Sequence, residues 1–297
     1  MSVPRFIVPG VTYLLTRRCF GRQFLLRPGR KVNQIFEFCL AAAAAKTGCE
    51  PHAYCMLSNH YHLVVTDVQG NLPVFMHWFN EYVAKCVNRE LGRWESFWAP
   101  GSYSQVSLSD EEAVMDKLVY TYTNPVSAGL VRSFKHWPGA RSTPEAMGQP
   151  ARVVERPKGF FREHGPVPQR LQLRLTSPPS LLGRANWRRD LESRIADREA
   201  ELRSAFDRKG KRFLGRRLVL NQLPTGRPSR VESRRGLNPR VAGRDKWKRI
   251  EALQRLKRFI CEYRTAWQRF AKGDRLVAFP FGTYAMRVQL RVMCSGP

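Results

Sequence analysis

Strand-like and helix-like hydrophobic patterns alternate along the first 145 residues. Stretches rich in β-branched and aromatic residues predict strands, and apolar residues that recur every three or four positions predict helices. In chain order, these patterns predict one or two strands in residues 11–26, a helix in 32–47, a strand in 54–66 and a helix in 74–91. Gly48 and Gly92 follow the two helices and are typical helix stops.

A further helix begins at a sequence that is typical of a helix N-terminus. Ser109 stands three residues before Glu112, which is the spacing of a capping box, and we expect Pro125 to end the helix. The predicted order of elements in this half is therefore strand, helix, strand, helix, helix.

The second half of the chain is more polar than the first. Its patterns predict long helices in residues 187–206 and 245–272, a closing strand or hairpin in 278–292, and a basic Gly/Pro-rich loop in 209–244. Because Pro, Ser and Gly mark a change of composition near residue 145, we expect a domain of residues 1–145 and an extension of residues 146–297.

The net charge is concentrated in the extension. Lysine and arginine number 51 against 24 acidic residues, a net charge of +27, of which +4 falls on residues 1–145 and +23 on residues 146–297. A chain this basic is expected to bind a polyanion, first of all nucleic acid, with a membrane surface as the alternative. No apolar run of about 18 residues and no signal-peptide pattern occurs, so we expect no membrane insertion. The seven cysteines form no Cys-x-x-Cys pair, which favours the reducing cytoplasm.

Two histidines stand two positions apart in the predicted strand 54–66. Residues two apart in a strand point to the same side, so His60 and His62 would share one face and Tyr61 would take the other. Two neighbouring imidazoles can serve as a pair of metal ligands. The simpler interpretation is two solvated histidines on a sheet surface.

The helix predicted over residues 110–123 carries two tyrosines of different character. Tyr122 falls among the apolar positions and is expected to pack, whereas Tyr120 falls on the polar side, one turn before Asn124. A phenol next to a metal site can attack a phosphodiester, although a surface tyrosine at a helix end is the simpler interpretation. Asn124 precedes Pro125 and is expected to be either a helical residue or a helix cap.

Two blocks of the sequence resemble those of the IS200-like (Y1) transposases, in the branch associated with repetitive extragenic palindromes. Residues 54–64 read YCMLSNHYHLV, and residues 120–131 read YTYTNPVSAGLV. Leu57 and Ser58 depart from the pair that usually precedes Asn-His in that family. The resemblance extends over about residues 5–140.

This resemblance implies an HUH endonuclease with a ferredoxin-like antiparallel sheet and helices on one face, followed by a basic, largely helical extension. At matching positions it implies His60, His62 and Asn124 as ligands of a divalent metal, Mg²⁺ or Mn²⁺. It implies Tyr120 as the nucleophile that forms a 5′-phosphotyrosine link to single-stranded or hairpin DNA. It is also compatible with a homodimer and with a bacterial, nucleoid-associated location in the cytoplasm.

Candidate DNA contacts lie both near the site and in the extension. Arg17, Arg18, Arg22 and Arg132 are candidates for contacts with phosphate. The extension is predicted to bind DNA through its charge, while we expect most of its helical aromatic residues to belong to a core; these are Trp187, Trp247, Tyr263, Trp267 and Phe270.

Two other functions stay open at this point. A zinc site built from Cys49, Cys55, His60 and His62 would have an unusual ligand spacing. A non-catalytic DNA-binding protein that keeps the transposase fold is the stronger alternative.

Overall fold

The computed structural model describes residues 3–229 and 239–296. Its strands are β1 (Val11–Arg18), β2 (Glu50–Met56), β3 (His60–Asp67), β4 (Ser104–Leu108), β5 (Arg152–Glu155), β6 (Arg170–Leu173) and β7 (Val241–Ala242). Its helices are α1 (Arg30–Thr47), α2 (Leu72–Glu90), α3 (Glu111–Ser127), α4 (Trp187–Arg208), α5 (Arg216–Leu220), α6 (Lys246–Ala271) and α7 (Ala285–Leu290).

A five-stranded sheet in the order β2-β3-β1-β4-β7 forms the centre of the fold. The first four strands pair antiparallel, and with α1 and α2 they follow the βαββαβ order of ferredoxin-like domains. The short β7 extends this sheet by pairing parallel with β4. The predicted α+β, ferredoxin-like fold is confirmed.

Helices cover the two faces of this sheet differently. On one face, Tyr61 of β3 packs against Phe36 of α1 and Phe79 of α2, with ring centroids 5.6 and 5.3 Å apart. On the other face, the ring of His62 lies 4.9 Å from the ring of Tyr120 in α3. The helix layer expected on one face of the sheet is therefore formed by α1 and α2. Helix α3 lies on the opposite face, which carries His62.

The strand-rich residues 54–66 belong to two strands and not to one. β2 and β3 form a hairpin whose turn is closed by the N–H of Leu57, which donates to the carbonyl of His60 at 2.8 Å. No Gly or Pro marks this turn, and Ser58 and Asn59 alone indicate it. The predicted order of elements also lacked β4, a strand of only five residues.

Helix α3 begins one residue later than the capping box predicted. Asp110 is the N-cap, and its carboxylate accepts a hydrogen bond from the N–H of Ala113 at 2.7 Å. Ser109 instead donates its hydroxyl to the carbonyl of Ala242 at 3.1 Å, which helps to hold β7 against the domain.

The end of α3 also differs from the prediction, because Pro125 lies inside the helix. Proline removes one backbone donor, and so near a C-terminus the helix loses a single hydrogen bond. The actual stop is Gly129, whose φ of 71° is left-handed. The N–H of Gly129 donates to Val126 and the N–H of Leu130 donates to Pro125, both at 2.9 Å, which is the Schellman arrangement.

In the second half, α4 and α6 confirm the two predicted long helices. The strand or hairpin predicted in residues 278–292 is wrong, because the helix α7 lies there beside a single bridge between Phe279 and Cys294. The predicted loop 209–244 contains α5 and β7, and its residues 230–238 lie outside the described residues. Within the described chain, no helix combines the length and the apolar character needed to cross a bilayer.

Helix α4 packs on α3 and shares its core. Trp187, Leu191 and Ile195 are buried in the same cluster as the sheet residues. Glu112 of α3 accepts hydrogen bonds from Arg194 and Arg184, which lower the pKa of its carboxyl to about 2. The extension is thus in close contact with the helix that carries Tyr120, and a domain boundary at residue 145 stays a prediction.

Candidate active site

The two histidines of β3 lie side by side on the sheet face that α3 covers. The ring centroids of His60 and His62 are 4.9 Å apart, and the ring planes are nearly perpendicular. His62 is buried, and His60 is partly exposed. This shared orientation follows from the two-residue period of the strand, as the sequence indicated.

β1 places a threonine directly beside the second histidine. The register pairs Thr16 with His62 and Arg18 with His60. The hydroxyl of Thr16 lies 2.8 Å from Nδ1 of His62 and fixes the orientation of the ring. The sequence gives no sign of Thr16, because no local signal reveals which residues of β1 and β3 pair, and Thr16 and His62 are 46 positions apart.

The residue before the histidine pair sets the tautomer of His60. The side-chain oxygen of Asn59 lies 2.7 Å from Nδ1 of His60, while Nδ2 of Asn59 donates to the carbonyl of Arg22 at 3.2 Å. An amide oxygen only accepts, and so Nδ1 of His60 is the donor and its lone pair is on Nε2. A lone pair on Nε2 is what a metal ligand needs.

Tyr120 projects from α3 toward the histidines. Its hydroxyl lies 3.4 Å from Nε2 of His62, and its side chain is 39% exposed. The ammonium group of Lys117, one turn earlier, lies 5.8 Å from the centre of the phenol ring. The structure therefore brings together a histidine pair, an accessible phenol and a cation.

The neighbouring Tyr122 is packed in the core, as the sequence predicted. It is 1% exposed, and its phenol oxygen accepts a hydrogen bond from the Ser142 hydroxyl at 3.3 Å. Burial raises the pKa of Tyr122. Of the two tyrosines, only Tyr120 lies at the histidines.

Asn124 is a helical residue and not a cap, because α3 continues through Pro125. It is buried, and it lies one turn after Tyr120 on the same side of the helix. The predicted pair of tyrosine and amide is therefore formed by regular helix geometry.

The four candidate arginines lie in different places. Arg18 shares the face of His60, whereas Arg17 lies on the opposite face and donates to the carbonyl of Gly101 at 2.8 Å. Arg22 lies in the turn after β1 with a φ of 59°. Arg132 forms an ion pair of 3.8 Å with Asp207 of α4. The structure thus places Arg18 next to the histidines and turns Arg17 away from them.

The donor set fits a hard or borderline divalent metal. Two imidazoles and one amide oxygen match Mn²⁺ well and Mg²⁺ acceptably, since both ions keep sites for water or phosphate oxygen. In the described part of the chain, no group of three or more His, Cys, Asp or Glu residues is arranged to hold a metal. A site here would therefore depend on the amide of Asn124 and on substrate oxygens.

The four residues of the zinc alternative are not gathered into a metal site. Among the described residues, no group of three or more His, Cys, Asp or Glu side chains is placed to hold a metal ion. Cys49 and Cys55 are buried, and the thiol of Cys49 donates to Asp67 at 3.6 Å. The arrangement therefore argues against a zinc site built from Cys49, Cys55, His60 and His62.

Comparisons by sequence find no matching protein family and no matching curated protein. In structure, the chain is similar to a REP-associated tyrosine transposase bound to a REP hairpin, with 17% identity and a TM-score of 0.42 over 49% of this chain and 84% of that one. It is also similar to a candidate transposase from Deinococcus radiodurans R1, with 20% identity and a TM-score of 0.30 over 39% of this chain and 93% of that one. At these scores, function has to be inferred from the side chains of the site.

Proposed function

We propose that this chain is a single-stranded DNA endonuclease and strand transferase that uses Tyr120 as its nucleophile. The observation that carries the proposal is the position of the Tyr120 hydroxyl, 3.4 Å from Nε2 of His62, whose ring lies 4.9 Å from the ring of His60. The phenol is accessible to a phosphate, whereas Tyr122 is sealed in the core. A tyrosine held at a histidine pair is the minimal arrangement for metal-assisted attack on a phosphodiester.

His60, His62 and Asn124 are the residues that would hold a divalent metal, Mg²⁺ or Mn²⁺. When bound, such an ion would offset the negative charge that develops on the phosphate under attack. Asn59 and Thr16 orient the two imidazoles through their Nδ1 atoms. Arg18, which pairs with His60 in the sheet register, is a candidate for a contact with the same phosphate.

In the proposed reaction, the Tyr120 oxygen forms a bond to phosphorus while the bond from phosphorus to the 3′ oxygen breaks. The phenol loses its proton, and the released 3′ oxygen gains one to become a hydroxyl, so the charges balance. The DNA keeps its 5′ phosphate on the tyrosine. Attack by another 3′-hydroxyl on this phosphotyrosine reverses the chemistry and joins strands.

The proposed substrate is single-stranded DNA, at or near a hairpin. The large positive charge of the chain supports a polyanionic partner, and the partly open site supports an extended strand over a small molecule. A bacterial cytoplasmic, nucleoid-associated location and a homodimer belong to the same proposal.

The test is formation of a covalent adduct. The purified chain is mixed with a 5′-labelled and a 3′-labelled hairpin oligonucleotide carrying single-stranded flanks, with Mn²⁺, and is run on a denaturing gel. We expect an adduct on the DNA fragment with the 5′ phosphate, which Tyr120→Phe abolishes and Tyr122→Phe preserves. An adduct that persists in Tyr120→Phe would overturn the assignment of the nucleophile.

The same experiment separates the proposal from its main alternative. DNA binding by the wild-type chain, without an adduct in Mn²⁺ or Mg²⁺, would favour a non-catalytic DNA-binding protein that keeps this fold.

A further inference from the structure

The two long helices of the extension differ sharply in charge. α4 contains six basic and six acidic residues, so its net charge is zero. α6 contains eight basic and two acidic residues, a net charge of +6. Most side chains of α6 are exposed, and only Phe259 and Ala266 are buried. Of the two long helices, α6 thus carries all of the net positive charge, and it presents this charge on an exposed surface.

Four cations of α6 lie on one side of the helix. At 3.6 residues per turn, Lys246, Arg249, Lys257 and Arg264 fall within a sector of about 80° and span about 27 Å along the axis. All four are exposed, and within the described residues none forms an ion pair with a carboxylate. We call this sector, with these four cations, the outer face of α6.

The acidic residues of α6 lie on the opposite side. Glu251 and Glu262 line a cavity of about 1240 Å³ between α6, the N-terminal segment and β4. Glu251 accepts a hydrogen bond from Arg255 on that side, at 2.5 Å. The carboxylates are therefore directed to the inner side, and all the charged side chains of the outer face are cations.

The outer face also carries apolar side chains that the protein itself does not cover. Leu253 is 45% exposed, and Trp267 is 36% exposed in the same sector. In contrast, Trp187 is buried, and Tyr263 and Phe270 pack around Phe279. Only some of the aromatic residues in the extension are thus available to a partner.

We infer that the outer face of α6 binds double-stranded DNA, as the stem of the hairpin whose single strand reaches Tyr120. This inference rests on the proposed function for its choice of substrate. Four cations without carboxylates on a rigid rod match the regular line of phosphates along a duplex, and 27 Å corresponds to about eight base pairs. An exposed helix is convex and about as wide as the major groove, whereas single strands are usually bound in concave grooves lined by aromatics.

The position of α6 relative to the site supports this inference. Arg244, just before α6, donates two hydrogen bonds to the carboxylate of Asp116 in α3. Asp116 lies four residues, about one turn, before Tyr120. The beginning of the basic helix is therefore attached to the helix that carries the proposed nucleophile.

The test compares two variants with the same loss of charge. One carries K246Q, R249Q, K257Q and R264Q on the outer face of α6. The control carries R189Q, R198Q, R208Q and K209Q, which are exposed residues of α4 or directly after it. Both are made in the full chain with Tyr120→Phe, and fluorescence anisotropy measures binding to a labelled 20-base-pair duplex and to a single strand between 50 and 300 mM salt.

We expect the α6 variant to lower the slope of log affinity against log salt for the duplex by about 3 to 4, since each phosphate contact contributes about 0.9. The control should change the slope by less than 1. Equal changes in both variants would overturn the inference in favour of a net-charge effect, and a loss for the single strand alone would overturn the choice of duplex. An unaltered circular dichroism melting curve verifies that both variants fold.

Because this assay measures binding without covalent chemistry, its outcome is independent of the adduct. If the wild-type chain forms no adduct while the α6 variant loses duplex binding, the proposed reaction is refuted and the DNA-binding role of the outer face of α6 still holds. If the wild-type chain forms the adduct and all variants bind duplex equally, the proposed reaction holds and the DNA-binding role of the outer face of α6 is refuted.

Discussion

Two histidine–threonine pairs lie on the same face of the central sheet, and they place the same residue types in different surroundings. In the first, which we call the open row, Thr16 contacts His62, and His62 contacts Tyr120. In the second, which we call the sealed row, Thr66 links the hydroxyl of Thr12 to the ring of His52 through contacts of 2.7 Å. Thr12 and Thr16 lie four residues apart in β1 and therefore point to the same side.

The sealed row ends at a backbone carbonyl, that of Thr176. The carbonyl of Thr176 accepts the hydrogen of Nδ1 of His52 at 2.8 Å, so Nε2 accepts from Thr66 and the ring is neutral. His52 is fully buried, and burial lowers its pKa to about 4. The open row ends in the accessible phenol of Tyr120. Surroundings, and not the residue types, thus separate a structural histidine from a candidate for chemistry.

The largest expected difference between the two rows is in covalent chemistry. His62→Ala should lower adduct formation by about 100-fold or more, because loss of a metal ligand removes several kcal/mol of transition-state stabilisation. His52→Gln should leave the adduct yield per folded molecule unchanged. Quantified gels with protein matched for folded fraction measure both, and equal losses in the two variants would remove the distinction between the rows.

The sealed row should dominate the response of stability to acid. Because the pKa of His52 lies near 4 in the folded chain and near 6.5 when unfolded, the unfolded state binds more protons between these values. This group should therefore lower the free energy of unfolding by about 3 kcal/mol as the pH falls from about 6.5 to 4. Urea denaturation at pH 7 and pH 4 should show a smaller loss for His52→Gln than for the wild type. The same loss in both would show that His52 is not the group responsible.

The hydroxyl of Thr16 should matter for metal binding. Thr16→Val removes the hydroxyl that lies 2.8 Å from Nδ1 of His62, and changes of this kind weaken metal affinity by about 10–100-fold. Thr16→Ser keeps the hydroxyl and should bind normally. Calorimetric titration with Mn²⁺ measures the affinity without any turnover; wild-type affinity in Thr16→Val would exclude an orienting role.

The smallest effect is expected for the matching change in the sealed row. Thr12→Val removes one hydrogen bond to Thr66 and should lower the free energy of unfolding by about 1 kcal/mol. Its Mn²⁺ affinity should equal that of the wild type. A weaker Mn²⁺ affinity in Thr12→Val would mean that the two rows are coupled through β1.

The parts of the site that follow from local periodicity could be predicted from the sequence. The two-residue period of β3 places His60 and His62 together, and the helical period separates Tyr120 from Tyr122. The position of Asn124 follows from the same helix, although this helix passes through Pro125 and ends at Ser127, later than the proline predicts. Features that depend only on residues close together in the chain can therefore be predicted from the sequence.

The parts that depend on pairing between distant segments could not be predicted. Thr16 meets His62 only because of the register between β1 and β3, and Arg17 is turned from the site by the same register. The hairpin between β2 and β3 has no Gly or Pro at its turn, and β7 has two residues, too few for any pattern. Residues 285–290 alternate enough to resemble a strand and yet form a helix.

The end of α3 constrains how this chain could be recombined with others. A side chain on Gly129 would place its Cβ 2.7 Å from the ring of Phe206 in α4, and the φ of 71° is itself unfavourable for any other residue. A glycine in the first half and an aromatic ring in the second half are therefore fitted to each other. A chimaera that joins this first half to a foreign extension would need to supply a ring of the same shape at that place, and so the two halves are expected to be inherited together.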